Sequence, residues 1–236
     1  MRDLTFDNPT VLGIDTSGKI ASCAVLRGGM LLGETTFLTK LTHSQIILPT
    51  LKRTLTDCGI VLNDIDLFAV AAGPGSYTGL RIGIAAVKGI CATDKPCIGV
   101  STLEALAWNT VSAKGRIIPA LTARTGIAYF GAYDSDGESL TEASPDRVSD
   151  EAEIKALVDG YSGDIILTGD CAERLKAELF ADDARVRVSP ANVRLQSAAG
   201  VCMAALAHLG EAGGAEALGA RYLQNTMAEK LKDRQV

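Results

Sequence analysis

The segment Gly73-Pro74-Gly75-Ser76-Tyr77-Thr78-Gly79-Leu80-Arg81-Ile82-Gly83 constrains this chain more than any other. It follows an apolar run, Leu67-Phe68-Ala69-Val70-Ala71-Ala72, that reads as a buried strand, and it leads into Ile84–Cys91, which reads as a helix. Strand, glycine-rich turn and helix in that order place free backbone N–H groups at a helix N-terminus, a ready cradle for an anion. Gly79 and Gly83 fall on one helix face, and Ala86 and Ile90 continue the stripe. A glycine inside a soluble helix costs about 1 kcal/mol against alanine, so two of them four residues apart imply close approach of another element. The chain is thus organised around a turn suited to an anion and a flat helix face suited to a partner.

Length and charge narrow the function. A chain of 236 residues can bury a substantial core, and 47% hydrophobic residues with only 5% aromatics make it one of Val, Ile, Leu and Ala. A net charge of −5 argues against a protein that grips nucleic acid by itself, since phosphate binding needs a clustered basic footprint. Cys23, Cys58, Cys91, Cys97, Cys171 and Cys202 stand apart within apolar runs, as free buried thiols of a reducing compartment do. Met1–Pro9 is short and polar and no apolar run is long enough to span a bilayer, so the expectation is a cytoplasmic chain without membrane contact.

The order of elements repeats. Thr10–Ile14, Ala21–Leu26 and Met30–Leu38 read as a three-strand meander with a Gly28-Gly29 hairpin turn. A helix follows from Thr42 to Cys58, with an apolar stripe of Ile47, Leu48, Leu51 and Leu55 and a kink expected at Pro49. The strand at Leu67, the glycine turn with its helix, a strand at Pro96–Val100 and a helix at Thr102–Thr110 complete the first half. After Lys114-Gly115-Arg116 the pattern restarts: strands at Ile117–Thr122, Ile127–Tyr133 and Glu138–Ser144, a helix at Ser149–Val158, a strand at Asp164–Thr168, a helix at Cys171–Leu179, a strand at Arg185–Val188 and a helix at Leu195–Leu209. A doubled β-β-β-α-β-α unit is the ground plan of the two-lobed actin-like α/β fold. The expected division is an N-terminal lobe at 1–113, a C-terminal lobe at 114–220 and a tail at 221–236.

Several segments together carry a family resemblance. Asp15-Thr16-Ser17, Thr42-His43-Ser44-Gln45 with Leu48-Pro49, the glycine-turn segment, Gly99-Val100-Ser101-Thr102-Leu103, Ala123-Arg124, Tyr129 and Arg221-Tyr222-Leu223 resemble the bacterial TsaB family. That resemblance implies a part in making threonylcarbamoyladenosine in tRNA, as the partner of a TsaD-type catalytic subunit and of a TsaE-type P-loop ATPase, with tRNA met only through the complex; for the isolated chain both a monomer and a homodimer stay open. It also implies a partner face on the helices of the first half. The interface candidates are His43, Ile47, Leu51 and Leu55 on the first helix, and Gly79, Arg81, Gly83, Ala86 and Ile90 on the second.

The residues themselves separate partner from catalyst. TsaD-like proteins carry two metal-binding histidines, four apart, just after the strand that here ends at Val100. This chain has Ser101-Thr102-Leu103-Glu104-Ala105 there, and its only histidines are His43 and His208. No set of nitrogen and carboxylate ligands can be assembled from that segment. Actin-like ATPases use an acid in the first turn of each half to position Mg²⁺ and water. Asp15 fills the first position, and Thr122 stands at the second, where many TsaB-like proteins have aspartate. The expectation is a non-catalytic subunit with no cofactor and no metal. Two rivals, a glycoprotease-like metallohydrolase and an actin-like small-molecule kinase, lack a ligand set and a second cleft acid respectively.

Each candidate also has a plainer reading. Asp15, as a turn residue, can cap local N–H groups without any ligand. Thr16, Gly73, Gly75 and Ser76 can form a tight turn as readily as a vestigial nucleotide or anion site, because the segment lacks the Lys-Ser/Thr of a P-loop. His43 beside Ser44 has no acid to orient it and suits a helix cap or an interface. Lys230, Lys232 and Arg234 make a mildly basic end, the usual character of a solvated terminus.

Overall fold

The computed structural model describes residues 7–38, 40–91 and 95–223. The basic residues Lys230, Lys232 and Arg234 lie outside the described residues. Two five-stranded mixed sheets form the frame. Strands β1 (Thr10–Asp15), β2 (Ile20–Arg27), β3 (Met30–Leu38), β4 (Leu67–Gly73) and β5 (Cys97–Ser101) make the first, in the order β3-β2-β1-β4-β5. Strands β6 (Gly115–Arg124), β7 (Ile127–Ser135), β8 (Leu140–Asp150), β9 (Ile165–Thr168) and β10 (Val186–Val188) make the second, in the order β10-β9-β6-β7-β8. In each, a hairpin meander joins a parallel block through crossover helices, the doubled order expected of the two-lobed actin-like fold. The central strands β1 and β4 are buried along their whole length, as continuous Val/Ile/Leu/Ala runs covered on both faces should be.

Helices α1 (His43–Asp57) and α2 (Tyr77–Ile90) lie side by side over one face of the first sheet. They close a core containing Leu12, Ile14, Val25, Ile47, Leu51, Leu55, Phe68, Val70, Ile84 and Val87. The α1 start is set by Thr42, whose backbone N–H donates to the Gln45 side chain at 3.1 Å. Pro49 sits inside α1 at an exposed position. Helices α4 (Ala152–Asp159) and α5 (Ala172–Leu179) cover the second sheet through Ile154, Val158, Ala172 and Leu175.

The two remaining helices exchange lobes. Helix α3 (Thr102–Trp108) leaves the first sheet, yet Leu103, Leu106 and Ala107 pack with Ile117, Leu121, Tyr133 and Ile166 of the second. Helix α6 (Ala198–Ala207) leaves the second sheet and packs on Val11, Ala24, Leu26 and Ala69 of the first. Two glycines make the crossing possible: a Cβ at Gly200 would overlap the Ala105 carbonyl, and one at Gly13 would stand 2.6 Å from the Ala198 oxygen. The chain then runs along the first sheet, exchanging backbone hydrogen bonds between Gly213 and Cys97 at 2.8 and 3.0 Å. The Arg221 N–H donates to Ala72 at 2.7 Å. The first sheet ends with β5 at Ser101, the second begins with β6 at Gly115, and α6 with the segment after it packs back on the first sheet.

Strand β8 extends through Asp150, beyond the expected end at Ser144, and shortens the following helix to Ala152–Asp159. Pro145 lies within this strand. On an edge strand a proline gives up no ladder hydrogen bond, so β8 continues past it. All six cysteines are free thiols; five are buried and Cys58 is half-buried.

Candidate functional site

The glycine turn joins β4 to α2 against the end of β1. Gly73 has φ +128°, a conformation that side chains rarely adopt, and a Cβ there would overlap the Arg221 carbonyl. A Cβ at Gly75 would overlap the Ser17 carbonyl. The Ser76 N–H donates to that same carbonyl at 2.6 Å, and the Ser76 hydroxyl accepts from the Gly79 N–H at 3.3 Å as the N-cap of α2. Two N–H groups of the expected anion cradle are therefore already spent within the chain.

The small face of α2 turns inward. A Cβ at Gly79 would overlap the Thr16 carbonyl, and one at Gly83 would lie 2.6 Å from the Thr16 hydroxyl and 3.2 Å from Val70. The Thr16 hydroxyl donates to the Gly79 carbonyl at 2.7 Å. This corrects the expectation of a partner-facing stripe through Gly79 and Gly83: the close approach is to β1 of the same chain. Ala86 and Ile90 are half-buried against the same core. Ile47, Leu51 and Leu55 are likewise corrected, since all three are buried beneath α1. His43 is half-buried at the first position of α1, and burial holds its imidazole below the usual pKa, opposed by a hydrogen bond with the Lys19 backbone.

What faces outward on these helices is a different set. Leu41, just before the N-cap of α1, and Leu48 in its body are exposed. On α2, Thr78, Ala85 and Gly89 are exposed and Ile82 half-exposed, at helical spacing. A Cβ at Gly89 would meet open space. Arg81 is also outward: its guanidinium sits 4.0 Å over the Tyr77 ring and donates to the Tyr222 hydroxyl at 3.1 Å, while the two tyrosine rings stack at 5.1 Å.

A cleft of about 330 Å³ lies between the lobes, lined by Ser17, Lys19, Gly75, Ser76, Thr122 and Asp170 among others. Asp15 lies behind it, 1% exposed, and its Oδ1 accepts from the Ser17 N–H and hydroxyl at 2.8 and 2.7 Å. Oδ2 is buried without a hydrogen-bond partner. Burial pushes the Asp15 pKa up to about 6, against the Ser17 bonds and with some help from Glu34. Across the cleft, Thr122 gives its N–H at 2.8 Å and its hydroxyl at 3.1 Å to Asp170. Asp170 was not singled out by sequence, and only its place beside Thr122 in the fold marks it.

A second cavity of about 340 Å³ opens at the end of β5. Here the Ser101 hydroxyl caps α3, accepting from the Leu103 and Glu104 N–H groups at 3.1 and 3.2 Å, and donates to Asp146 of β8. The buried Tyr133 hydroxyl donates to the other Asp146 oxygen at 2.7 Å. Burial raises the Asp146 pKa, opposed by these two hydrogen bonds. On the far wall His208 stands between Glu104 at 2.9 Å and Glu211 at 3.0 Å. Among the described residues, no group of three or more His, Cys, Asp or Glu side chains is placed to hold a metal ion. Replacing Asp146 with alanine strips the Tyr133 hydroxyl, on a side chain 3% exposed, of its carboxylate partner and frees Ser101. The expected cost is about 2 kcal/mol in urea denaturation, and an unchanged midpoint would show that the network contributes nothing.

Comparison with known proteins follows the same lines. The family model described as TsaD, tRNA N6-adenosine threonylcarbamoyltransferase, matches residues 37–230. The tRNA threonylcarbamoyladenosine biosynthesis protein TsaB of Bacillus subtilis is 37% identical over 139 residues, 58% of this chain and 61% of that protein. The Escherichia coli TsaB is 36% identical over 133 residues, 55% of this chain and 57% of that protein. The matched stretch thus spans only about three fifths of these relatives' length. A Pseudomonas aeruginosa structure described as an uncharacterized protein with similarity to the peptidase YeaZ superimposes with a TM-score of 0.78 at 26% identity, covering 92% of this chain and all of that one. With the family model spanning most of the sequence and TsaB proteins its relatives, the chain belongs to the TsaD family, in its TsaB branch.

Proposed function

We propose that the chain acts in the synthesis of tRNA N6-threonylcarbamoyladenosine as a non-catalytic subunit, holding a TsaD-type transferase in its working form alongside a TsaE-type ATPase. The observation that carries this reading is the end of β5. Where the catalytic relatives place two metal-binding histidines, Ser101 caps α3 and is tied to Asp146. Threonylcarbamoyl transfer is then the partner's chemistry, in the cytoplasm where tRNA is modified, and this chain contributes surface.

The outward faces of α1 and α2 supply that surface. Leu41, Leu48, Thr78, Ile82, Ala85 and Gly89 present an apolar and small-residue face, with Arg81 and His43 at its border. Two such helices against two of a partner, or of a second copy, would bury roughly 1,200–2,000 Å², the size of a stable interface. The test is light scattering on the chain alone and mixed with a TsaD homologue from the same source, with tRNA modification assayed on the same fractions. Activity is expected only in the mixed complex. Ala85→Arg, at an exposed position, is expected to weaken association at least about tenfold while leaving thermal unfolding unchanged. Modification by this chain alone, or wild-type affinity of the variant, would overturn the proposal.

A further inference from the structure

Strand β3 is an outer edge of the first sheet, paired on one side with β2. Its register shifts once near the hairpin and is regular from Gly33 to Leu38. Native proteins guard such edges with charges, proline or bulges, because an open row of N–H and C=O groups templates further pairing. β3 carries one charge, Glu34, in nine residues. Met30, Leu31, Phe37 and Leu38 along it are 65%, 48%, 38% and 70% exposed. Beside the edge lies a groove of about 480 Å³, bounded by Leu31, Glu34, Trp108, Val193, Leu195 and Met203.

Glu34 gives this groove its charge. Its Oε1 accepts from the Ser22 and Ser197 hydroxyls at 3.0 and 2.7 Å and from the Ala199 N–H at 3.2 Å, leaving Oε2 outside these bonds. The nearby cation Arg194 is engaged with Glu173, and among the described residues no cation pairs with Glu34. We propose that the β3 edge and its groove dock an extended segment of a partner protein, one with a lysine or arginine two residues from an apolar one, so that both lie on the groove face. The backbone of that segment would extend the sheet, one apolar side chain would enter the groove, and its cation would meet Glu34. A second copy fits less well. Glu34 is the midpoint of β3, so full antiparallel pairing of two copies sets Glu34 against Glu34, and a one-residue slip turns the apolar side chains to the wrong face.

The test uses the full chain and two capped synthetic heptapeptides, Thr-Val-Thr-Lys-Thr-Val-Thr and its counterpart with Glu for Lys, followed by amide NMR titration. The Lys peptide is expected to bind at least about tenfold more tightly than the Glu peptide, with shifts centred on β3 and on Trp108. Leu31→Lys, on the exposed rim, is expected to weaken the Lys peptide at least about tenfold while the melting temperature holds. Met30→Ala, which adds no charge, reports whether lost binding follows charge or a damaged edge. Equal affinity for both peptides, shifts centred elsewhere, or self-association of the chain that Leu31→Lys abolishes would each overturn the proposal. So would a gain in peptide affinity on truncation after Leu223, which would make the chain's own end the occupant.

Discussion

Replacing Gly79 with alanine is expected to cost about 3 kcal/mol of folding stability, although alanine is the better helix former. The new Cβ meets the Thr16 carbonyl, a backbone atom held by the end of β1, so relief requires α2 to move off the sheet. That movement also breaks the 2.7 Å bond from the Thr16 hydroxyl to the Gly79 carbonyl. Gly83→Arg is expected to be worse and to abolish soluble folding, because it drives an unpaired charge between Thr16, Val70 and Ile14. Gly89→Ala is the internal control. A Cβ there meets open space, so helix propensity alone acts and the variant gains up to about 1 kcal/mol. Urea denaturation of the two alanine variants and the soluble yield of Gly83→Arg decide the matter. If Gly79→Ala is as stable as the parent, the inward packing of α2 is wrong.

This contrast shows how far the sequence could be read. Hydrophobic period and turn residues carried the doubled β-β-β-α-β-α order, because those signals are local. The two helical glycines also signalled close approach. They did not say to what, since α2 has two small faces: Gly79 and Gly83 inward, Ala85 and Gly89 outward. In α1 the apolar stripe of Ile47, Leu51 and Leu55 was legible, but an apolar stripe serves a core before it serves a partner. What stayed hidden depends on distance along the chain. Thr122 finds Asp170 48 residues away and Ser101 finds Asp146 45 residues away, and nothing near either residue announces the other. The return of α6 to the first sheet was hidden for the same reason: Gly13 and Gly200 permit the crossing, yet each is a single glycine in an unremarkable run.

Asp15→Asn is expected to stabilise the protein at neutral pH and to leave it little changed near pH 4. The Asp15 carboxyl is buried, with Oδ2 unpartnered, and its pKa is pushed up to about 6 by loss of water. In the unfolded chain the group titrates near its ordinary value of 3.8. Below that value both states hold the proton and the carboxyl contributes nothing that depends on pH. As pH rises from about 4 to about 6 the unfolded state has released its proton and the folded state has not, so stability falls; above about 6 the loss is constant. A shift of roughly two units corresponds to about 3 kcal/mol. Asparagine keeps an Oδ1 for the Ser17 N–H and hydroxyl and carries no charge to desolvate. The stability difference between variant and parent should therefore open between pH 4 and pH 6 and then stay level. A difference that is flat across that window would mean that Asp15 is solvated or paired in the folded protein, and the cleft behind Ser17 would then have to be open to water or to a cation.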